Sequence, residues 1–306
     1  MKISIIGAGN VGGLTVMRLA ELGIENIVLL DVAGGLAQGK ALDMEDSRAI
    51  LKGNYHIQGT DNIAEIKDSE VIVITAGLTR KPGMTREDLL QKNAQILKGL
   101  CSDIKKLSPE SIIIVVTNPL DLMAGFVLKA TGFHPNKVFG MGISLDASRF
   151  ANLIARELNV PPADIDACVI GSHGEKMLPL PRFTTIKGVA LDEFLDEKRT
   201  GILLKKTVER GQEIVSLLGS GSASFAPSAA IADIIRAIIK DEKRTIGVSA
   251  QLKGEYGVKD VSIGVPCRLG KKGIEGIIEL DLNQQEKKFF LESAAYLKEQ
   301  FKNLSI

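Results

Sequence analysis

The strongest constraint on this chain lies at its start. An aliphatic, β-branched run over 2–6 meets the turn Gly7-Ala8-Gly9-Asn10-Val11-Gly12; residues 11–22 then show helical spacing, and a second aliphatic run over 26–30 ends at Asp31. The pattern G-x-G-x-x-G alone says little in a chain with 31 glycines. Between a strand and a helix it has a mechanism. Gly7 permits a tight turn, Gly9 lets the backbone approach a pyrophosphate, and Gly12 lets helix and strand pack closely. The helix N-terminus adds unpaired N–H donors and the positive end of a dipole. Asp31 stands at the distance from the loop where a carboxylate accepts hydrogen bonds from the adenosine ribose and repels a 2′-phosphate. The plain alternative is a surface aspartate after a strand. Residues 32–35 carry no arginine, so the expected cofactor is NAD rather than NADP.

The rest of the first half repeats this alternation. Runs over 71–75, 111–117 and 138–141 read as strands and 89–107 as a helix. Strands without polar alternation, separated by helices, predict a parallel sheet buried on both faces. Beyond residue 143 the pattern changes to helices over 145–158, 198–218, 228–239 and 284–303, with a hairpin-like stretch over 244–252 and 261–269. The expected fold is α/β: a Rossmann doubly wound parallel sheet over 1–143, followed by an α+β substrate domain over 144–306. A net charge of +1 gives no electrostatic reason to expect nucleic acid or a membrane surface as partner. No apolar run approaches the ~20 residues that span a bilayer. The N-terminal run is too short for a signal peptide, and Cys101, Cys168 and Cys267 form no C-x-x-C pair. Both observations suit a cytoplasmic protein.

Three histidines are present: His56, His134 and His173. His173 follows an apolar run and lies between Gly171 and Gly174, accessible to a substrate. An imidazole there can take the proton that leaves a hydroxyl when its carbon gives up hydride. His56 beside Tyr55 and His134 before Pro135 read as surface or loop residues. Asp146 and Arg149, three apart, share a helix face. They read either as a modest intrahelical ion pair or as separate tools, Asp146 orienting His173 and Arg149 holding a substrate carboxylate. Arg80 and Arg86 flank a turn-rich loop after the strand at 71–75, at the edge where ligands bind in such sheets. Asn118 ends the strand at 111–117. It reads either as an Asn-Pro turn or as a donor to substrate beside the cofactor.

Together these stretches resemble the lactate/malate dehydrogenase family: GAGNVG (7–12), TAGLTRKPGMTREDLL (75–90), VTNPLD (116–121), LDASRF (145–150) and GSHGE (171–175). RKPGMTR (80–86), PLPRFTTIKG (179–188) and SASFAPSAA (222–230) look like its malate branch. The resemblance implies His173 as proton acceptor paired with Asp146, Arg149 on the carboxylate beside the reacting carbon, and Arg86 polarising the carbonyl. It implies Arg80 at the far end of the substrate and Asn118 against both substrate and cofactor. It places the cofactor on Gly7, Ala8, Gly9, Asn10, Val11, Gly12 and Asp31, with Asn93, Val116 and Thr117 close by. It further implies a cis Asn118-Pro119 bond, a mobile loop over 78–88 and a homo-oligomer (dimer or tetramer). No metal is expected, because Arg86 and His173 supply the electrophile. One departure is Ala33-Gly34-Gly35, where many relatives carry an acidic residue.

The charges independently favour a dicarboxylate such as malate or oxaloacetate. Arg149 pairs with one carboxylate, and Arg80 can neutralise the second in a closed site. Removing one partner of a desolvated pair costs ~2–5 kcal/mol, enough to decide a substrate. The alternative enzyme is a lactate or other 2-hydroxyacid dehydrogenase. An NAD-dependent glycosidase would need metal ligands that no cysteine–histidine cluster offers. A nucleotide sensor would have no use for His173, Asp146 and three arginines together.

Overall fold

The computed structural model describes residues 1–78 and 85–304, and of Arg86 the backbone alone. Strands β1 (Lys2–Ile6), β2 (Asn26–Leu30), β3 (His56–Thr60), β4 (Val71–Ile74), β5 (Ile112–Val115) and β6 (Val138–Gly140) form a parallel sheet in the order β3-β2-β1-β4-β5-β6. Its helices are α1 (Asn10–Glu21), α2 (Gly34–Asp46), α3 (Arg48–Leu51), α4 (Arg86–Leu107) and α5 (Leu120–Thr131). Ile3, Ile5, Ile72, Val73, Ile113 and Ile114 are wholly buried, as strands with both faces covered require. Each such side chain contributes about 1.5–3 kcal/mol by leaving water. α4 begins where Thr85 and Asp88 cap each other reciprocally and ends on Lys105 and Lys106, which suit the negative end of its dipole. The strand order reverses between β1 and β4, which opens a crevice at the carboxyl ends of those two strands.

The second half contributes α6 (Ile143–Leu158), β7 (Ile165–Asp166), β8 (Val169–Gly171), β9 (Met177–Pro179), β10 (Thr185–Ile186) and β11 (Val189–Ala190). It continues with α7 (Glu197–Leu218), α8 (Phe225–Ile239), β12 (Arg244–Lys253), β13 (Lys259–Gly270), β14 (Gly273–Ile277) and α9 (Gln284–Lys302). The expected hairpin is present as β12 and β13, and it extends the parallel sheet. Ser249 on β12 pairs with Gly140 on β6, and Gly264 on β13 pairs with Gly171 on β8. Among the described residues the result is one mixed sheet of eleven strands beside a small antiparallel sheet of three. The main core likewise runs across residue 143, from Ile3 through Phe139 to Val248, Ile263 and Leu297. A smaller core under α6 and α7 gathers Phe150, Leu153, Ile154, Leu191 and Leu203.

Several elements lie outside the pattern read from the sequence, among them α2, α5 and β3. α2 carries Gly34, Gly35 and Gly39, which weaken helix propensity, and it buries only Ala37 and Ala41. α5 is buried nearly all round and so has no apolar stripe. β3 mixes Ile57 with His, Gln, Gly and Thr. His56 is on the surface as expected, in β3 rather than a loop, with Nδ1 2.8 Å from Glu45 Oε1. His134 lies in a surface turn beside Asn136. Among the described residues no helix is long and apolar enough to cross a membrane.

Candidate active site

The glycine loop sits at the crevice between β1 and β4. Gly7 has φ of +111°, and a Cβ there would come within 2.6 Å of Thr75 Oγ1 and 2.7 Å of the Ala76 nitrogen. A Cβ on Gly12 would lie 1.8 Å from the Gly7 carbonyl oxygen, so this residue sets how closely α1 packs on its own loop. Gly9 differs: a Cβ there would meet nothing within 4 Å and would project into open space. Gly9 is also the N-cap of α1, with no side-chain cap and no acid in the first turn. Asn10 and Val11 follow in that turn, whose free N–H groups form a cradle that suits a diphosphate.

Asp31 joins the loop to β2. Its Oδ2 accepts from the Ala8 N–H at 2.6 Å and its Oδ1 from the Ala33 N–H at 2.9 Å. The carboxylate is thereby held rigidly at the crevice with lone pairs left for ribose hydroxyls. The residues present therefore fit a dinucleotide.

The second half of the site is carried by α6 and by the turn after β8. His173 Nδ1 lies 2.6 Å from Asp146 Oδ2, and Arg149 Nη1 donates to Asp146 Oδ1 at 3.0 Å. The ion pair and the orienting contact, alternatives in the sequence, are thus both made by one carboxylate. Asp146 is fully buried, with side-chain exposure of 11% for Arg149 and 17% for His173. Arg149 Nε is buried with no hydrogen-bond partner among the described residues. Glycine makes room for the guanidinium, since a Cβ on Gly211 of α7 would lie 3.4 Å from Arg149 Nη1. His173 in turn packs on Gly142, just past β6, where a Cβ would lie 3.2 Å from His173 Cβ.

Burial pulls the His173 pKa down, but the charge and hydrogen bond of Asp146, helped by the Asp121 charge, outweigh it and leave the pKa raised. With Nδ1 engaged by Asp146, Nε2 is the nitrogen left to exchange a proton with a substrate.

The strand ends between these halves are tied together. Asn118-Pro119 is cis. Asn93 is fully buried; its amide donates to the Asn118 carbonyl at 2.7 Å and the Leu78 carbonyl at 3.3 Å, and its Oδ1 accepts from the Leu78 N–H. Asn93 thus pins the backbone after β4 to the backbone after β5. Thr117 does the same through the Ala76 carbonyl at 2.7 Å, while the Val116 N–H bonds the Ile74 carbonyl. The Asn118 side chain is exposed at this edge. Arg80 and the Arg86 side chain, with most of the expected mobile loop over 78–88, lie outside the described residues.

Asp121, on the first turn of α5, was not singled out in the sequence. Its buried Oδ2 accepts from the His173 N–H at 2.8 Å and from Ser172 Oγ at 3.0 Å. Burial raises its carboxyl above the usual range. It holds the backbone that carries His173. Burial also pushes the thiols of Cys101 and Cys168 up to about 12, so neither is a thiolate nucleophile at neutral pH.

A dinucleotide cradle joined to a buried Asp–His pair and an arginine defines an oxidoreductase that uses a nicotinamide dinucleotide. The chain belongs to the lactate/malate dehydrogenase family: residues 1–140 match its NAD-binding domain and residues 143–305 its α/β C-terminal domain. It is 48% identical to a malate dehydrogenase of Methanosarcina mazei over 306 residues, 100% of both chains. Its fold matches the malate dehydrogenase of Salinibacter ruber with TM-score 0.94 and 41% identity, covering 99% of this chain and 97% of that one. It also matches a lactate dehydrogenase of Cryptosporidium parvum, solved with lactic acid and β-nicotinamide adenine dinucleotide, with TM-score 0.95 and 36% identity over 98% and 96% of the two chains.

Proposed function

We propose that this chain catalyses the reversible NAD-dependent oxidation of (S)-malate to oxaloacetate. The observation that carries the reading is the single buried carboxylate of Asp146, which holds both His173 and Arg149. The malate dehydrogenases of Methanosarcina mazei and Salinibacter ruber support the substrate. When bound, the nicotinamide takes up or supplies the hydride. The chain's own residues manage charge and proton. Asp146 orients the imidazole so that Nε2 accepts the proton of the substrate hydroxyl, and it stabilises the imidazolium that results. Arg149 binds the carboxylate beside the reacting carbon through its guanidinium. In reduction, protonated His173 returns the proton while Arg86 polarises the carbonyl. Arg80 neutralises the second carboxylate, and Asn118 contacts substrate and cofactor.

NAD in preference to NADP is supported by Asp31, whose charge opposes a 2′-phosphate. Asn93, Val116 and Thr117 shape the cofactor's edge of the crevice. A division near residue 143 into a cofactor domain and a substrate domain follows from the same roles. Self-association is supported by exposed apolar side chains such as Leu42 and Ile50 on neighbouring helices α2 and α3. A cytoplasmic setting is supported by three unpaired cysteines. The substrate assignment is tested at Arg80: Arg80→Gln should lower kcat/KM for oxaloacetate by about a hundredfold while sparing pyruvate. Unchanged selectivity would remove the dicarboxylate assignment.

A further inference from the structure

Lys40 stands on α2, far along the chain from the glycine loop, yet it reaches back to it. Its Nζ donates to the Ala8 carbonyl at 2.8 Å and to the Gly9 carbonyl at 3.2 Å. Its stem lies against the first turn of α1, where Gly13 is bare: a Cβ on Gly13 would lie 3.4 Å from Lys40 Cδ and 3.5 Å from Nζ. The two carbonyls use two of the three N–H groups of the ammonium. Among the described residues no carboxylate pairs with it within 4 Å. A half-buried cation with only neutral acceptors is poorly compensated, and it sits at the helix terminus where the backbone already favours an anion.

We propose that Lys40 is a cofactor-binding residue: the ammonium locks the carbonyls of the phosphate loop and places a fixed positive charge against the dinucleotide's diphosphate. The inference rests on the nicotinamide dinucleotide reading of this site. It assigns to α2, a helix with little apolar surface to bury, a reason for its position. The hydrogen bonds hold the turn at 8–9 so that the N–H groups that follow point into the cradle. The charge adds an attraction that acts on the diphosphate and not on the nucleoside.

The test compares binding of ADP-ribose and of adenosine by calorimetry in the native protein, Lys40→Met and Lys40→Gln. Gln keeps a donor for the carbonyls without the charge. Both variants are expected to bind ADP-ribose about tenfold more weakly, a loss of about 1.4 kcal/mol, with adenosine affinity unchanged. The salt dependence of ADP-ribose binding should also be shallower in both variants. Equal weakening of both ligands would show that Lys40 only shapes the loop. Full ADP-ribose affinity in Lys40→Gln would show that the charge plays no part. Either result overturns the proposal. A native protein that bound neither ligand would remove the dinucleotide reading itself, and this inference with it.

Discussion

Turnover of a His173→Asn variant is expected to fall by about a thousandfold or more in both directions, while NADH binding persists. Asparagine has a similar shape but cannot carry a proton at neutral pH. In oxidation nothing would then receive the hydroxyl proton, and in reduction nothing would return it. The cofactor should still bind, because the cradle at Gly7–Gly12 and Asp31 is built from β1, α1 and β2. NADH fluorescence titration and steady-state rates separate the two effects. Turnover within tenfold of the native enzyme would show that another group moves the proton.

Asp146→Asn should have the second largest effect, a fall in kcat of about a hundred- to ten-thousandfold. Its mechanism differs and is visible in the pH profile. In the native protein burial pulls the His173 pKa down, and Asp146 leads the opposing causes that leave it raised. Reduction of a ketone requires protonated His173, so it is supported at low pH and lost as pH rises through that raised pKa. Removing the Asp146 charge leaves burial dominant. The falling limb of the reduction profile should therefore move to lower pH. Oxidation requires neutral His173, and its rising limb should move the same way. Arg149 also loses the charge that faces its Nη1, and the one carboxamide oxygen cannot serve both Arg149 and His173 as the two carboxylate oxygens do, so KM for the acid should rise. A normal KM with both limbs in place would mean that Asp146 neither orients nor charges the histidine. The same raised pKa gives His173 a stabilising contribution that is fully present below its unfolded pKa and fades as pH rises through its folded one.

Much of this was legible because it is local. The glycine loop, Asp31 and the strands around them obey short-range rules: β-branched runs, a turn only glycine can make, an aspartate at a strand end. Asp146 and Arg149 share a helix face, and His173 stands between glycines after an apolar run. What the sequence hid depends on distant partners. Lys40 meets Ala8 and Gly9, and Asp121 meets Ser172 and His173, only through the fold. A lysine in a glycine-rich helix and an aspartate at a helix start give no sign of a buried acceptor or a buried backbone to hold. The continuation of the parallel sheet into β12 rests on the single pairing of Ser249 with Gly140, which no alternation of side chains announces. Asn93 matched a family position near the cofactor; the structure shows its amide turned onto the backbone of Leu78 and Asn118. Asp146 and Arg149 illustrate another limit, since spacing alone posed an ion pair against a catalytic role and one carboxylate makes both contacts.

The most direct test of the central claim is the initial rate of NADH oxidation by the native protein with oxaloacetate and with pyruvate, side by side at saturating NADH. The account predicts rapid oxidation with oxaloacetate and a kcat/KM for pyruvate at least about a hundredfold lower. Equal or faster turnover of pyruvate would contradict it and make the protein a lactate dehydrogenase in function.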